Sequence, residues 1–248
     1  MSDLKTKKIL CIGGSTLNPN TLKYLRDALL KTNFLEEWAI IFTNHLYFKT
    51  KDVKKYKTQI HDDFRGLNLV FVYEKSKCPY AVEKGKIYII PDSSDTDMCI
   101  DVTFEIQNKI PILKVECTPN DELNDAYFKG LTGSHWMDKP DASGKTRCYQ
   151  PCIDKMMTEV ANGKLGKVAG IVLCGLDGDG AYGLQEIARH GGEIAVQEPS
   201  ECNNPLIGKA TSSMPHACLS VASNCRQISL ESVATISDWL RDILGNKN

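Results

Sequence analysis

The sequence lacks a surplus of charge of either sign. Thirty Lys and Arg stand against 31 Asp and Glu, for a formal net charge of −1, so no global field draws the chain to nucleic acid or to an anionic membrane. No stretch is apolar enough to span a bilayer, and the apolar run in the opening MSDLKTKKILCIGG is too short for a secretory signal. A cytosolic protein without membrane insertion is the expectation. The ten cysteines include no C-x-x-C pair, and the chain is too long for a small disulfide scaffold, so mostly buried, reduced thiols are expected. Cys148 and Cys152 would lie one helical turn apart, but no matching Cys or His pair follows nearby, which argues against zinc. Internal repeats and low-complexity tracts are absent as well.

What is present has ordinary globular proportions: 42% hydrophobic and 25% charged residues in 248, enough to bury a sizeable core as one domain over 1–248. Local lysine clusters remain, such as the lysines at 51, 54, 55 and 57. Val53, Tyr56 and Ile60 recur between them at helical spacing, which makes the cluster the solvated face of a helix over 52–60.

Strand-like and helix-like runs alternate along the chain. KKILCIG, EWAIIFTN, LNLVFVYE and GKIYIIP read as buried strands, with Asn18 and Pro19 capping a helix after the first. Met98 to Cys117 alternates around QNK and predicts an antiparallel hairpin added to the main sheet. Thr118 to Gly144 is polar and loop-like, a candidate lid. From Pro151 the rhythm resumes: helix CIDKMMTEVA, strand KVAGIVLCG, helix YGLQEIARH stopped by Gly191, strand GEIAVQE, and a last helix with Val233, Ile236, Leu240 and Ile243 on one face. Alternating strands and helices imply an α/β fold around a parallel sheet.

Chemistry-bearing residues fall just after predicted strands, where open parallel sheets place their ligands. Ser15 follows KILCIGG in a turn before a helix, where a serine is either a nucleophile beside unpaired N–H groups or an N-cap. His45 directly follows the second strand, and Asp177 and Asp179 follow GIVLC. A serine, a histidine and an aspartate at three parallel strand ends make a hydrolase constellation, in an order that differs from the Ser, Asp, His of α/β-hydrolases. The glycines of CGLDGDGAYG admit a second reading. Gly178, Gly180 and Gly183 fit the dinucleotide pattern G-x-G-x-x-G, and Glu198 lies where an acid binds a ribose. Against it, the first glycine comes late after the strand, and two aspartates would repel a pyrophosphate. His61 with Asp62 and Asp63, His135, His190 and His216 share no ligand spacing and read as surface or capping residues.

Taken in order, IGGST, NHLYF, GKIYIIP, QPCIDKMM, GIVLCGLDGDGAYGL and the Met214-Pro215 pair resemble the catalytic domain of the chemotaxis protein-glutamate methylesterases of CheB type. That resemblance implies a doubly wound, three-layer αβα fold: a mostly parallel sheet with helices on both faces and an antiparallel hairpin. It puts the catalytic triad on Ser15, His45 and Asp179, with Thr16 and Leu176 at oxyanion or orienting positions. The implied reaction is hydrolysis of γ-glutamyl methyl esters, with deamidation of glutamine in some members, on the cytoplasmic helices of chemoreceptors, without metal or organic cofactor. The family's receiver domain has no counterpart before the catalytic region. Leu17 and Asn18 stand where the family has two glycines, Gly175-Leu176-Asp177 where it has Gly-Met-Gly, and Asn44-His45-Leu46-Tyr47 where it has Gln-His-Met-Pro; Gln150 replaces an arginine. Changed rim positions keep open a descendant that binds a partner helix without turnover.

Overall fold

The computed structural model describes residues 8–14, 20–44, 53–73, 77–91, 98–119, 152–175, 178–202, 213–222 and 224–245. Seven parallel strands form the central sheet: β1 (Lys8–Gly14), β2 (Ala39–Asn44), β3 (Asn68–Phe71), β5 (Lys86–Pro91), β8 (Lys167–Val172), β9 (Glu193–Gln197) and β10 (Arg226–Ile228). Their spatial order is β10-β9-β8-β1-β2-β5-β3. The inner strands are apolar at nearly every position because both faces are covered. Side chains of β1 alternate, Ile9 and Cys11 into one core layer, Leu10 and Ile12 into the other.

The layer on the Leu10 side is built by α1 (Thr21–Lys31), α2 (Val53–Asp63) and α6 (Val233–Leu244). Leu22, Leu25, Ala28 and Leu29 give α1 its buried stripe. Its N-cap is Asn20, so α1 starts later than the expected cap at Asn18, which with Pro19 lies outside the described residues. Ser232 caps α6 through the Thr235 N–H, and Gly245, at φ 82°, ends it. The opposite layer consists of α3 (Ile153–Asn162), α4 (Ala181–Arg189) and α5 (Met214–Val221). The doubly wound, three-layer reading therefore holds.

The hairpin differs from expectation in one respect. Strands β6 (Met98–Gln107) and β7 (Ile110–Pro119) pair antiparallel, but they join β4 (Tyr80–Ala81) in a separate three-stranded sheet, ordered β4-β7-β6. The reason is packing: Val102, Phe104, Leu113 and Val115 enter the core layer that contains α3, and the Phe104 N–H donates to Glu159 on that helix. The hairpin thus covers α3 and does not extend the main sheet. Asn108 and Lys109 form its turn, both at positive φ, as a two-residue loop of this twist requires. The proposed lid over 118–144 lies outside the described residues apart from Thr118 and Pro119 in β7.

Candidate active site

From β1 the chain moves to β2, β3 and β5 on one side, and returns through α3 to β8 on the other. The order therefore reverses between β1 and β8, and the crevice at their C-terminal ends is where sheets of this topology bind ligands. Three strand ends meet there. Gly14 is in register with Asn44, and Gly13 with Val172. The Leu173 N–H donates to the Gly13 carbonyl at 2.7 Å, extending the contact by one residue. In the chain, position 15 follows β1 and position 45 follows β2. Ser15, Thr16, His45, Leu176 and Asp177 themselves lie outside the described residues.

Asp179 is described, and its surroundings are specific. The segment that leads to it is fixed at three points. The Cys174 N–H donates to Gln197 Oε1 at 2.9 Å, Met214 N–H donates to the Gly175 carbonyl at 3.0 Å, and Cys174 is disulfide-bonded to Cys202. That bond corrects the expectation of reduced thiols at these two positions. The neighbouring strands β8 and β9 bring residues 28 apart in sequence to a Cα separation of 5.4 Å, inside the disulfide range. Cys11 and Cys218 are free and buried.

Each oxygen of the Asp179 carboxylate accepts a backbone N–H from the first turn of α3: Oδ2 from Ile153 and Oδ1 from Asp154, both at 2.8 Å. The Cys152 thiol, at the N-cap of α3, lies 3.7 Å from Oδ1. Asp154 reciprocates: its Oδ1 accepts the Gly183 N–H at 2.7 Å, and the nearby amides of Gly180 and Tyr182 favour its ionised form. Each carboxylate caps the other's helix, and each is under a tenth exposed, Asp179 7% and Asp154 9%. Helix N-termini attract anions, which explains how two like charges are tolerated in one buried place. Burial first and the Asp179 charge second still raise Asp154 to about 7, against the lowering effect of its backbone donors. Burial and the same carboxylate hold the Cys152 thiol well above its usual range.

The glycine pattern is explained by this packing. Gly180 adopts φ +100°, and a Cβ there would lie 2.7 Å from Val172. At Gly183 an added Cβ would lie 2.5 Å from the Met157 Cβ and 3.2 Å from the Asp154 Cα, so the glycine sets the approach of α4 to α3. The anion position at the start of α4, where a pyrophosphate would bind, already holds the Asp154 carboxylate. The dinucleotide reading has no vacant phosphate site at this turn. Among the described residues no three His, Cys, Asp or Glu side chains group as metal ligands.

The described histidines stand apart from Asp179's hydrogen bonds. His190 bonds to the Glu186 carbonyl at the end of α4, His61 packs on Phe71, and His216 Nδ1 lies 2.8 Å from the Ser213 hydroxyl at the N-cap of α5. Asn44, the last residue of β2, is fully buried, and among the described residues neither atom of its side-chain amide has a hydrogen-bond partner. Sequence reasoning missed Asp154, Gln197 and the Cys174–Cys202 bond. Asp154 carried a weak signal only, since an acid in the first turn of a helix is ordinary.

A profile of the family described as CheB methylesterase matches residues 10–236. Two curated relatives named protein-glutamate methylesterase/protein-glutamine glutaminase are similar over shorter stretches. The one from Idiomarina loihiensis is 30% identical over 96 residues, 39% of this chain and 23% of its own length. The one from Geobacter sulfurreducens is 34% identical over 71 residues, 29% of this chain and 18% of its own. The chain thus spans about a quarter or less of the length of these relatives. The crystal structure of the Thermotoga maritima CheB methylesterase catalytic domain superposes with a TM-score of 0.60 at 17% identity, covering 95% of this chain and 98% of that one. At that identity the likeness establishes the fold.

Proposed function

The chain belongs to the CheB methylesterase family, and from that premise we propose that it is a serine hydrolase acting on methyl-esterified glutamyl side chains through Ser15, His45 and Asp179. One observation carries the proposal: the buried Asp179 carboxylate stands at the crevice beside β1 and β8, and the neighbouring ends of β1 and β2 lead directly into Ser15 and His45.

In this mechanism His45 takes the Ser15 proton as the oxygen attacks the ester carbonyl, and Asp179 orients the ring and stabilises the imidazolium. Thr16 helps to hold His45, N–H groups beside Ser15 receive the oxyanion, and Leu176 is assigned an oxyanion or orienting role. His45 then protonates the departing methanol, and water resolves the acyl-enzyme by the reverse proton path. No metal or organic cofactor takes part. The names of the relatives extend the reading to glutamine side chains, with ammonia leaving in place of methanol, and the partners would be chemoreceptor cytoplasmic helices.

A rival reading, partner binding without turnover, has one observation in its favour: both Asp179 oxygens are engaged by α3 amides. A carboxylate has about four acceptor positions, so its two backbone bonds do not by themselves preclude a triad role. Methanol release from a receptor peptide carrying a glutamyl methyl ester separates the readings. Turnover that disappears in Ser15→Ala supports hydrolysis, and a peptide bound without methanol release supports the rival.

A further inference from the structure

Asp154 is given no task by the proposed mechanism, yet its side chain leaves its own helix to hold another. It sits in the first turn of α3, and its carboxylate accepts the Gly183 N–H in the first turn of α4, with the Gly180 and Tyr182 amides favouring its ionised form. Gly180 is the residue directly after Asp179. The Asp154 N–H meanwhile donates to Asp179 Oδ1. Asp179 is therefore held twice by the same residue, once at its carboxylate and once through Gly183 of the helix that follows it. Gly183 removes slack from the arrangement, since it lets α4 approach to within van der Waals contact of the Asp154 backbone.

We propose that Asp154 is a positioning residue for Asp179, fixing the carboxylate and the turn behind it in the orientation that the catalytic histidine requires. The proposal rests on the reading of Asp179 as the triad acid. Asp154 acts through Asp179 and does not itself touch substrate. When ionised it makes a charge-assisted bond to the Gly183 amide, faces the Gly180 and Tyr182 amides, and adds a second negative charge behind the imidazolium; when protonated these effects weaken. Among the described residues few other charges face it. Asp179 is the charge that acts on it, the Cys152 thiol of α3 and the Cys218 thiol of α5 are held neutral well above their usual range, and Lys155, next along α3, is 3.9 Å from Glu159.

Burial and Asp179 move Asp154 from an ordinary 3.8 to about 7, so its charge changes across the physiological range. The linkage sign follows. A folded-state value above the unfolded one contributes stability that is fully present below the unfolded value and is lost as pH rises through about 7. Wild-type melting temperature should fall between pH 5 and 8 relative to Asp154→Asn, whose carboxamide oxygen still accepts the Gly183 N–H but cannot ionise.

The test measures kcat, KM and melting temperature from pH 5.5 to 9 on a small activated ester, for wild type, Asp154→Asn and Ser15→Ala. At pH 8 the expected result for Asp154→Asn is a kcat lower by about 10- to 100-fold with KM unchanged. Its acid limb should approach a slope of one, where wild type, losing both His45 and Asp154 charge states, approaches two. A purely structural cap would shift the melting temperature and leave the limb as in wild type, which overturns the proposal. Hydrolysis abolished by Ser15→Ala but untouched by Asp154→Asn overturns the positioning role alone. Hydrolysis that survives Ser15→Ala, or is absent from wild type, overturns the triad and this role with it. Should Asp154→Asn fail to fold, Asp154→Ser supplies the acceptor without the charge; if neither folds, Asp154 is a structural cap and the proposal falls.

Discussion

Asp179→Asn should damage the protein in two ways that can be measured separately. The carboxylate accepts N–H groups from Ile153 and Asp154, both at 2.8 Å, one on each oxygen. An asparagine can replace only one of these acceptors, and its NH2 group then points at a backbone donor. The loss of one charge-assisted bond is worth about 1.5–3 kcal/mol, and the loss of negative charge at the start of α3 up to about 1 kcal/mol more. Relief of repulsion with Asp154 offsets part of this, leaving a cost of about 2–3 kcal/mol. For a chain of 248 residues, each kcal/mol moves the melting temperature by about 2 °C, so calorimetry should show a drop of about 4–6 °C. Turnover, measured far below the transition so that all molecules are folded, should fall by up to about 10⁴-fold, because an amide stabilises the wrong histidine tautomer. A 4–6 °C drop with full turnover would show that Asp179 is only a helix cap. Unchanged melting with lost turnover would refute the capping energetics.

Other consequences are smaller but equally open to measurement. Asp177→Asn should reduce turnover much less than Asp179→Asn, as kinetics on both variants would show; the reverse ranking would place the catalytic acid two residues earlier. Gly183→Ala should lower stability by about 1–3 kcal/mol in urea titration, since its Cβ would meet Met157 and Asp154; a neutral effect would mean that α3 and α4 separate freely. Cys202→Ser should cost about 3–4 kcal/mol from the loop of 28 residues that it opens, and alkylation of the unfolded wild type should leave Cys174 and Cys202 unlabelled until reductant is added. Asn44→Leu should raise stability by about 1–3 kcal/mol, because it removes a buried amide with neither atom paired among the described residues; a loss would reveal a partner for that amide.

Much of the sheet was legible in the sequence because parallel strands covered on both faces must be apolar throughout. KILCIGG, AIIFTN and KVAGIV carry that signature and became β1, β2 and β8. Helices with one buried stripe, such as α6, announced themselves by spacing. Elements held by specific contacts did not. Helix α5 is short and mostly apolar or small, and its start is set by the Ser213 cap and the bond from Met214 to Gly175. Strand β10 is three residues on a sheet edge, with Arg226 and Gln227 exposed, too short to show a period. The glycine motif was ambiguous for a physical reason: one spacing serves either to admit a phosphate or to let two helices touch. Only the partner of α4's amides decides, and that partner, Asp154, is 29 residues from Gly183 in the chain.

The central claim is that Ser15 is a nucleophile activated by His45 and Asp179. A fluorophosphonate reacts with an activated serine and spares ordinary hydroxyls, so mapping its adduct by peptide mass spectrometry tests the claim most directly. The account predicts a single phosphonylated site at Ser15 in wild type, no adduct in Ser15→Ala, and labelling slowed by orders of magnitude in His45→Gln and Asp179→Asn. An adduct at another serine, or no adduct in correctly folded wild-type protein, would contradict it.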